Sequence, residues 1–161
     1  MKKSVDERFI RQCILLAEKS VDEGEAPFGS LIVKDAKIIA ESGNGNKRYQ
    51  DVSSHAEILV MRKAQQLLQT DDLSGYEIYS NCEPCPMCSF MMRELKFKRI
   101  IFALPSAIMG GYSKWPILQD TELEKIRPYF TKPPEITPNM LPHEAIKTFQ
   151  RIGMEQMFKE E

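Results

Sequence analysis

Two short runs of side chains that bind metals and carry protons constrain this chain more than any other feature. His55-Ala56-Glu57 is followed, past one helix and one strand's worth of sequence, by Pro84-Cys85-Pro86-Met87-Cys88. A zinc site that performs hydrolysis takes three protein ligands and keeps a fourth position for water, and His55, Cys85 and Cys88 supply such a Cys2His set. Cys85 and Cys88 stand three apart, so one helical turn points both thiols the same way. Pro84 and Pro86 bracket the first cysteine, and proline is tolerated in a first helical turn, where its missing N–H would be unpaired anyway. The pair predicts a helix beginning near Pro86, whose N-terminus favours thiolate over thiol. Glu57 is left without a ligand role. It lies about 200° round a helix from His55. At a helix start its carboxylate still reaches a water on the metal, as a general base that later returns the proton.

Other readings of these residues explain less of the pattern. C-x-x-C alone would suit a redox pair, but a redox pair has no use for H-x-E upstream. Cys82 extends the run to C-x-x-C-x-x-C, a spacing that iron and sulfur also use. The one remaining cysteine, Cys13, sits in the N-terminal helical pattern and leaves no fourth thiol nearby. Cys82 is therefore read as a small buried apolar residue. A non-catalytic zinc scaffold would close with a fourth protein ligand and would not need Glu57. His143 and Cys13 receive no functional role.

At 161 residues, 42% hydrophobic and 28% charged, the chain is expected to form a single domain over residues 1–161, long enough for a real core. Four cysteines do not make a disulfide framework. Residues 1–8 run directly into an amphipathic pattern, and no apolar run approaches a membrane span. A cytoplasmic protein without a membrane partner is the expectation. A formal net charge of -1 and a pI of about 6.2 provide no global basic field to draw nucleic acid.

Periodicity gives an alternating α/β order. Phe9, Ile10, Cys13, Leu16 and Ala17 recur at helical spacing and predict a helix over 5–23. Residues 29–33 and 37–40 read as a β-hairpin whose second strand ends near Ser42, before a loop over 43–46. Residues 53–68 read as a helix with Ser53 or Ser54 as N-cap, which sets His55 and Glu57 in its first turn. A strand over 77–81 feeds a helix over 85–95, and 99–103 is a further strand. In the last third, 117–130 reads as helix, 135–141 as an edge strand disrupted by Pro138, and 143–159 as a C-terminal helix after Pro142. This order implies a helix-covered sheet with the active residues at its edge.

H-x-E followed by P-C-x-x-C is the signature of zinc deaminases, and the chain resembles the cytidine deaminase-like superfamily from about Arg8 to Ala103. Within it, the bacterial guanine deaminases and the tRNA-specific adenosine deaminases are the most similar. Ala26-Pro27-Phe28-Gly29-Ser30, Ser42-Gly43-Asn44, His55-Ala56-Glu57-Ile58 and Cys82-Glu83-Pro84-Cys85-Pro86-Met87-Cys88 carry the resemblance. It implies a three-layer α/β/α sandwich around a five-stranded mixed sheet, a bound Zn2+, a homodimer, and substrate contacts from Asn44 and from the backbone of Ala56. Phe28 and Trp115 are candidate walls for a stacked base, although aromatic residues more often serve cores.

The choice of base is less constrained. Pro27-Phe28-Gly29 and the cysteine run look more like guanine deaminases, and Arg151, Lys159, Glu155, Glu160 and Glu161 leave a tail without the basic surplus that tRNA phosphates require. Two thiolates offset the charge of the ion, so selection falls to base shape and hydrogen bonds. A small-molecule nucleobase or nucleoside, guanine-like, is the favoured substrate, with tRNA adenosine or cytosine and cytidine as alternatives. For tRNA, Lys47, Arg48, Lys96, Lys98 and Arg99 would have to form one basic footprint. The segment from Met109 departs from the guanine deaminase pattern, and its Gly110-Gly111 pair suits either a flap over the pocket or a plain turn.

Overall fold

Successive side chains of a strand point to opposite faces, and the three central strands of this chain bury both. The computed structural model describes residues 1–159. Glu160 and Glu161, counted above in the charge of the tail, lie outside them. Strands β1 (Gly29–Lys34), β2 (Lys37–Gly43), β3 (Glu77–Cys82), β4 (Arg99–Leu104) and β5 (Glu135–Thr137) form one five-stranded sheet in the order β2-β1-β3-β4-β5. β1 is antiparallel to β2 and β3, while β3, β4 and β5 run parallel, so the sheet is mixed. Ile32, Ile78, Ile100 and Phe102 pack in one core with Ile58 and Met61 of α3 (Ala56–Leu68) and Met92 of α4 (Pro86–Glu94). Leu31, Val33, Tyr79, Ile101 and Ala103 pack in another with Phe9 and Ile10 of α1 (Lys2–Asp22) and Phe149 of α5 (Pro142–Gln150). The expected α/β/α layering follows from this alternation.

At Gly29 the backbone of α1 lies directly against the sheet. A Cβ at this position would stand 2.2 Å from the Cys13 carbonyl oxygen and 2.7 Å from the Ala17 amide nitrogen. Only glycine admits that approach. The adjoining turn is tied by Asn81, whose Oδ1 accepts from the Gly29 N–H at 2.9 Å and whose Nδ2 donates to the Pro27 carbonyl at 2.9 Å.

Tertiary partners override local pattern in several places. Residues 117–130 form two short 3-10 turns, Ile117–Gln119 and Leu123–Lys125, rather than the predicted helix. The buried Arg93 guanidinium donates to the carbonyls of Ile117, Asp120 and Thr131 at 2.7, 2.8 and 3.2 Å, and so holds the segment irregular. The predicted C-terminal helix ends at Gln150, because Gly153 turns the chain at φ +71°, and a 3-10 turn at Glu155–Phe158 follows. β5 stops at Thr137, ahead of Pro138, shorter than the predicted edge strand. Residues 46–49, assigned to loop at their start, form a single helical turn, α2 (Asn46–Tyr49).

Arg99 does not belong to a basic surface. Its guanidinium is 3% exposed and bonds both Asp6 oxygens at 2.9 and 2.6 Å, with Glu135 Oε1 at 3.1 Å. Arg48 pairs with Glu23. The Asp6–Arg99 pair joins the start of α1 to the start of β4, with the Tyr79 hydroxyl donating to Asp6 at 2.7 Å. Burial pushes the Asp6 carboxyl up, but hydrogen bonds from Arg99 and Tyr79 outweigh it and leave the group below its ordinary value. The pair's stability is therefore present above the unfolded carboxylate range and lost as pH falls through the lower folded value. Arg99→Ala is expected to cost about 3–5 kcal/mol in urea unfolding at neutral pH, because it strands a buried carboxylate. The deficit should shrink as the pH is lowered into the range where Asp6 protonates.

Candidate functional site

Two helices begin at the same end of the sheet, and the predicted ligands stand at their first positions. His55 is the residue before α3, with extended backbone at φ -65° and ψ 152°. Cys85 is the corresponding residue of α4, at φ -68° and ψ 169°. Neither side chain caps its own helix, so both are free to turn toward each other. Ser53 and Ser54, expected to cap α3, bond the Asp51 carboxylate instead, at 2.7 and 3.0 Å from their hydroxyls. An Asx turn has replaced the helix cap and moved the helix start to the ligand. In α4, Pro86 occupies the first helical position, as predicted, and Cys88 follows one turn from Cys85.

The three donor atoms converge. His55 Nδ1 lies 3.5 Å from Cys85 Sγ and 3.6 Å from Cys88 Sγ, and the sulfurs are 3.6 Å apart. A tetrahedral zinc with Zn–S of about 2.3 Å and Zn–N of about 2.0 Å needs edges of about 3.8 Å between sulfurs and about 3.5 Å from sulfur to nitrogen. The residues fit that ion in donor type and spacing. The thiols are coupled without it. The hydrogen bond from Cys88 leads in lowering the Cys85 thiol to about 4, while the same bond, with burial, holds Cys88 well above its ordinary value. A divalent cation held by Cys85 and Cys88 would replace that proton and stabilise both thiolates. The hydrogen bond to Cys85 likewise raises the His55 imidazole, against burial.

Glu57 stands beside this trio without joining it. Its side chain is 4% exposed; Oε1 accepts from the Ser80 hydroxyl at 2.9 Å, and Oε2 lies 3.7 Å from Cys88 Sγ. Burial, then the neighbouring Cys85 charge, pushes the carboxyl above its ordinary value. A cavity of about 150 Å³ opens on these groups, lined by Phe28, His55, Glu57, Cys82, Glu83, Cys85, Ser106, Met109 and Met157. Phe28 reaches it because Ser30 pairs with Ser80 in the antiparallel β1/β3 register, which sets the start of β1 against the end of β3.

The other predicted site residues are placed less directly. Ala56 is the first residue of α3 and fully buried, with an N–H that has no partner inside its helix. Asn44 is buried outside the cavity lining; its backbone N–H donates to the Phe28 carbonyl at 3.1 Å and its Nδ2 to Glu25 Oε2 at 3.3 Å. Trp115 is 47% exposed and does not line the cavity; its backbone N–H donates to the Gly110 carbonyl at 2.9 Å. Sequence reasoning missed Ser80, Glu83, Ser106, Met109 and Met157. For Glu83 a signal existed, since it sits inside the cysteine run. For the others the approach is made only in the folded chain.

Comparison with known proteins agrees with this geometry. The family described as the cytidine and deoxycytidylate deaminase zinc-binding region matches residues 3–104. A tRNA-specific adenosine deaminase of Aquifex aeolicus is 33% identical over 105 residues, 65% of this chain and 70% of the relative. A guanine deaminase of Bacillus subtilis is 38% identical over 98 residues, 60% of this chain and 63% of the relative. The chain spans only 9% of the length of a chloroplastic tRNA(adenine(34)) deaminase of Arabidopsis thaliana that it also matches. A solved structure from studies of A-to-I editing by tRNA:A34 deaminases superposes with a TM-score of 0.78 at 25% identity, covering 88% of this chain and 98% of the other.

Cys88→Ala is expected to abolish metal binding. Elemental analysis should fall from about one zinc per chain to near zero, since two protein ligands do not hold a catalytic ion.

Proposed function

This chain belongs to the cytidine and deoxycytidylate deaminase zinc-binding family, and on that premise we propose that it is a hydrolytic deaminase acting on an amino-substituted nucleobase or nucleoside, guanine-like by preference. The observation that carries this reading is the buried Glu57 carboxylate, which touches the edge of the three-donor cluster and faces the cavity without being a ligand. His55, Cys85 and Cys88 would hold the ion, and bound zinc supplies a water acidified toward a pKa of about 7. Glu57 accepts the proton of the attacking water and delivers it to a ring nitrogen as the oxygen adds to the amino-bearing carbon. A second proton transfer through Glu57 lets the C–N bond break, so that ammonia leaves and a carbonyl remains. Ser80 holds one oxygen of Glu57 in place at 2.9 Å, which leaves the other for the proton.

Phe28 forms the stacking wall and the Ala56 N–H bonds the edge of the base; Asn44, outside the cavity lining with its amide on Glu25, reaches the base only by leaving that pairing. Asn44 is tied to Phe28 through its backbone, which supports their acting together. Four free cysteines suit a reducing, cytoplasmic setting, and no helix among the described residues is long and apolar enough to cross a membrane. Residues 1–161 act as one domain, and as a homodimer like that implied by the family resemblance. A second reading, tRNA adenosine as substrate, is favoured by the names of several relatives. The loss of Arg99 from the basic footprint weighs against it, as does the neutral charge balance.

Glu57→Gln should retain zinc while ammonia release falls by about two to four orders of magnitude, the scale of general acid–base catalysis. Near-normal turnover in that variant would remove its assigned role. A panel of guanine, adenine, cytosine, their nucleosides and tRNA, read by ammonia release, is expected to favour guanine. Turnover with tRNA alone would establish the second reading instead.

A further inference from the structure

Glu83 lies between the cysteines and the sheet, and no step of the proposed reaction uses it. It is 4% exposed. Its Oε2 accepts from the Ser106 N–H at 2.7 Å, and its Oε1 from the N–H groups of Tyr112 and Ser113 at 3.0 and 2.7 Å. The Ser113 hydroxyl lies 3.0 and 2.9 Å from the two oxygens. One carboxylate thus grips both ends of the segment 106–113, through charge-assisted bonds of about twice the strength of neutral ones.

The glycine pair makes that grip possible. A Cβ on Gly110 would fall 1.9 Å from Glu83 Oε1, and one on Gly111 would fall 2.0 Å from Ser89 Oγ. The Gly111 N–H donates to the Pro84 carbonyl at 2.7 Å. The segment is laid directly on the Glu83–Ser89 stretch, which carries both cysteines. In this structure the Gly110-Gly111 turn is fastened to that stretch. Between its anchors the segment brings Met109, 47% exposed, to the cavity wall with Phe28 and Met157.

The cavity this wall bounds is small and offers no handle for a phosphate. Its volume of about 150 Å³ is below the roughly 300–1,000 Å³ of clefts that take drug-sized ligands. Among the described residues lining it there is no Lys or Arg, and two carboxylates are present. A flat, neutral ring suits that volume, and a ribose attached to the ring would meet the long side chains of the wall, Met109 and Met157 among them.

We propose that Met109 is a specificity-determining residue that admits a bare base and excludes its nucleoside, and that Glu83 is the positioning residue that holds Met109 there. The proposal rests on the deaminase reading of the same site. Its test uses the zinc-loaded full chain, Met109→Ala and Glu83→Gln, with guanine against guanosine and adenine against adenosine, read as kcat and KM from ammonia release. Amide hydrogen exchange over 106–113 is read in parallel. Wild type is expected to prefer the base. In both variants the base-to-nucleoside ratio of kcat/KM should fall by about tenfold or more, the scale of discrimination by a pocket wall, and the change should appear as a lower nucleoside KM. In Glu83→Gln the amides of Ser106, Tyr112 and Ser113 should also exchange faster, with zinc content unchanged. Base turnover with the same ratio in both variants, or a wild type that prefers the nucleoside, overturns this proposal and leaves the deaminase reading standing. Unchanged exchange in Glu83→Gln overturns the positioning role of Glu83. Ammonia from none of these compounds with wild type overturns both the proposal and the reading beneath it.

Discussion

The site exists because two helices start side by side at one end of one sheet. β3 runs into α4 through Glu83-Pro84-Cys85, and α3 begins at His55 on the same face of the sheet. Placing a ligand at the residue before each helix uses a position where the backbone is extended and the side chain points past the helix end. Most helices spend that position on a cap. Here neither ligand caps its own helix, and the first-turn N–H groups add a positive field around the thiols instead. Geometry and electrostatics therefore come from the same two residues, and the sheet register decides which other side chains face them.

Much of this was legible in the sequence because it depends on short-range spacing. The three-residue interval of Cys85 and Cys88, the proline at the first position of α4, and the short apolar runs of the strands each act within one element. They fix type, periodicity and face. The match between the separations of His55, Cys85 and Cys88 and the edges of a tetrahedron could not be read from spacing alone, since it depends on where α3 and α4 start relative to one another. The structure brings the three predicted donors together, but the serine expected at the head of α3 is not there. Asp51 captured both serines two and three residues later and shifted the helix start, a competition between an Asx turn and a cap that composition does not resolve.

Several of the remaining departures share one physical origin, a buried polar group that takes its partners from distant segments. Arg93 holds the carbonyls of Ile117, Asp120 and Thr131, Glu83 the amides of 106–113, and Arg99 the carboxylate of Asp6. Each is a charged residue in a stretch whose pattern suggests surface. Burial without a partner would be prohibitive, so the partner's segment is organised around the charge rather than by its own propensity. That is why 117–130 has helical periodicity and no helix, and why Arg99 looked like part of a basic face.

The distance along the chain between the two ligand-bearing helix starts has a further consequence. His55 and Cys85 are separated by 30 residues, with α3 and β3 between them. The full donor set exists only once both helix starts stand side by side, so the free energy of holding the ion counts toward the stability of the finished chain.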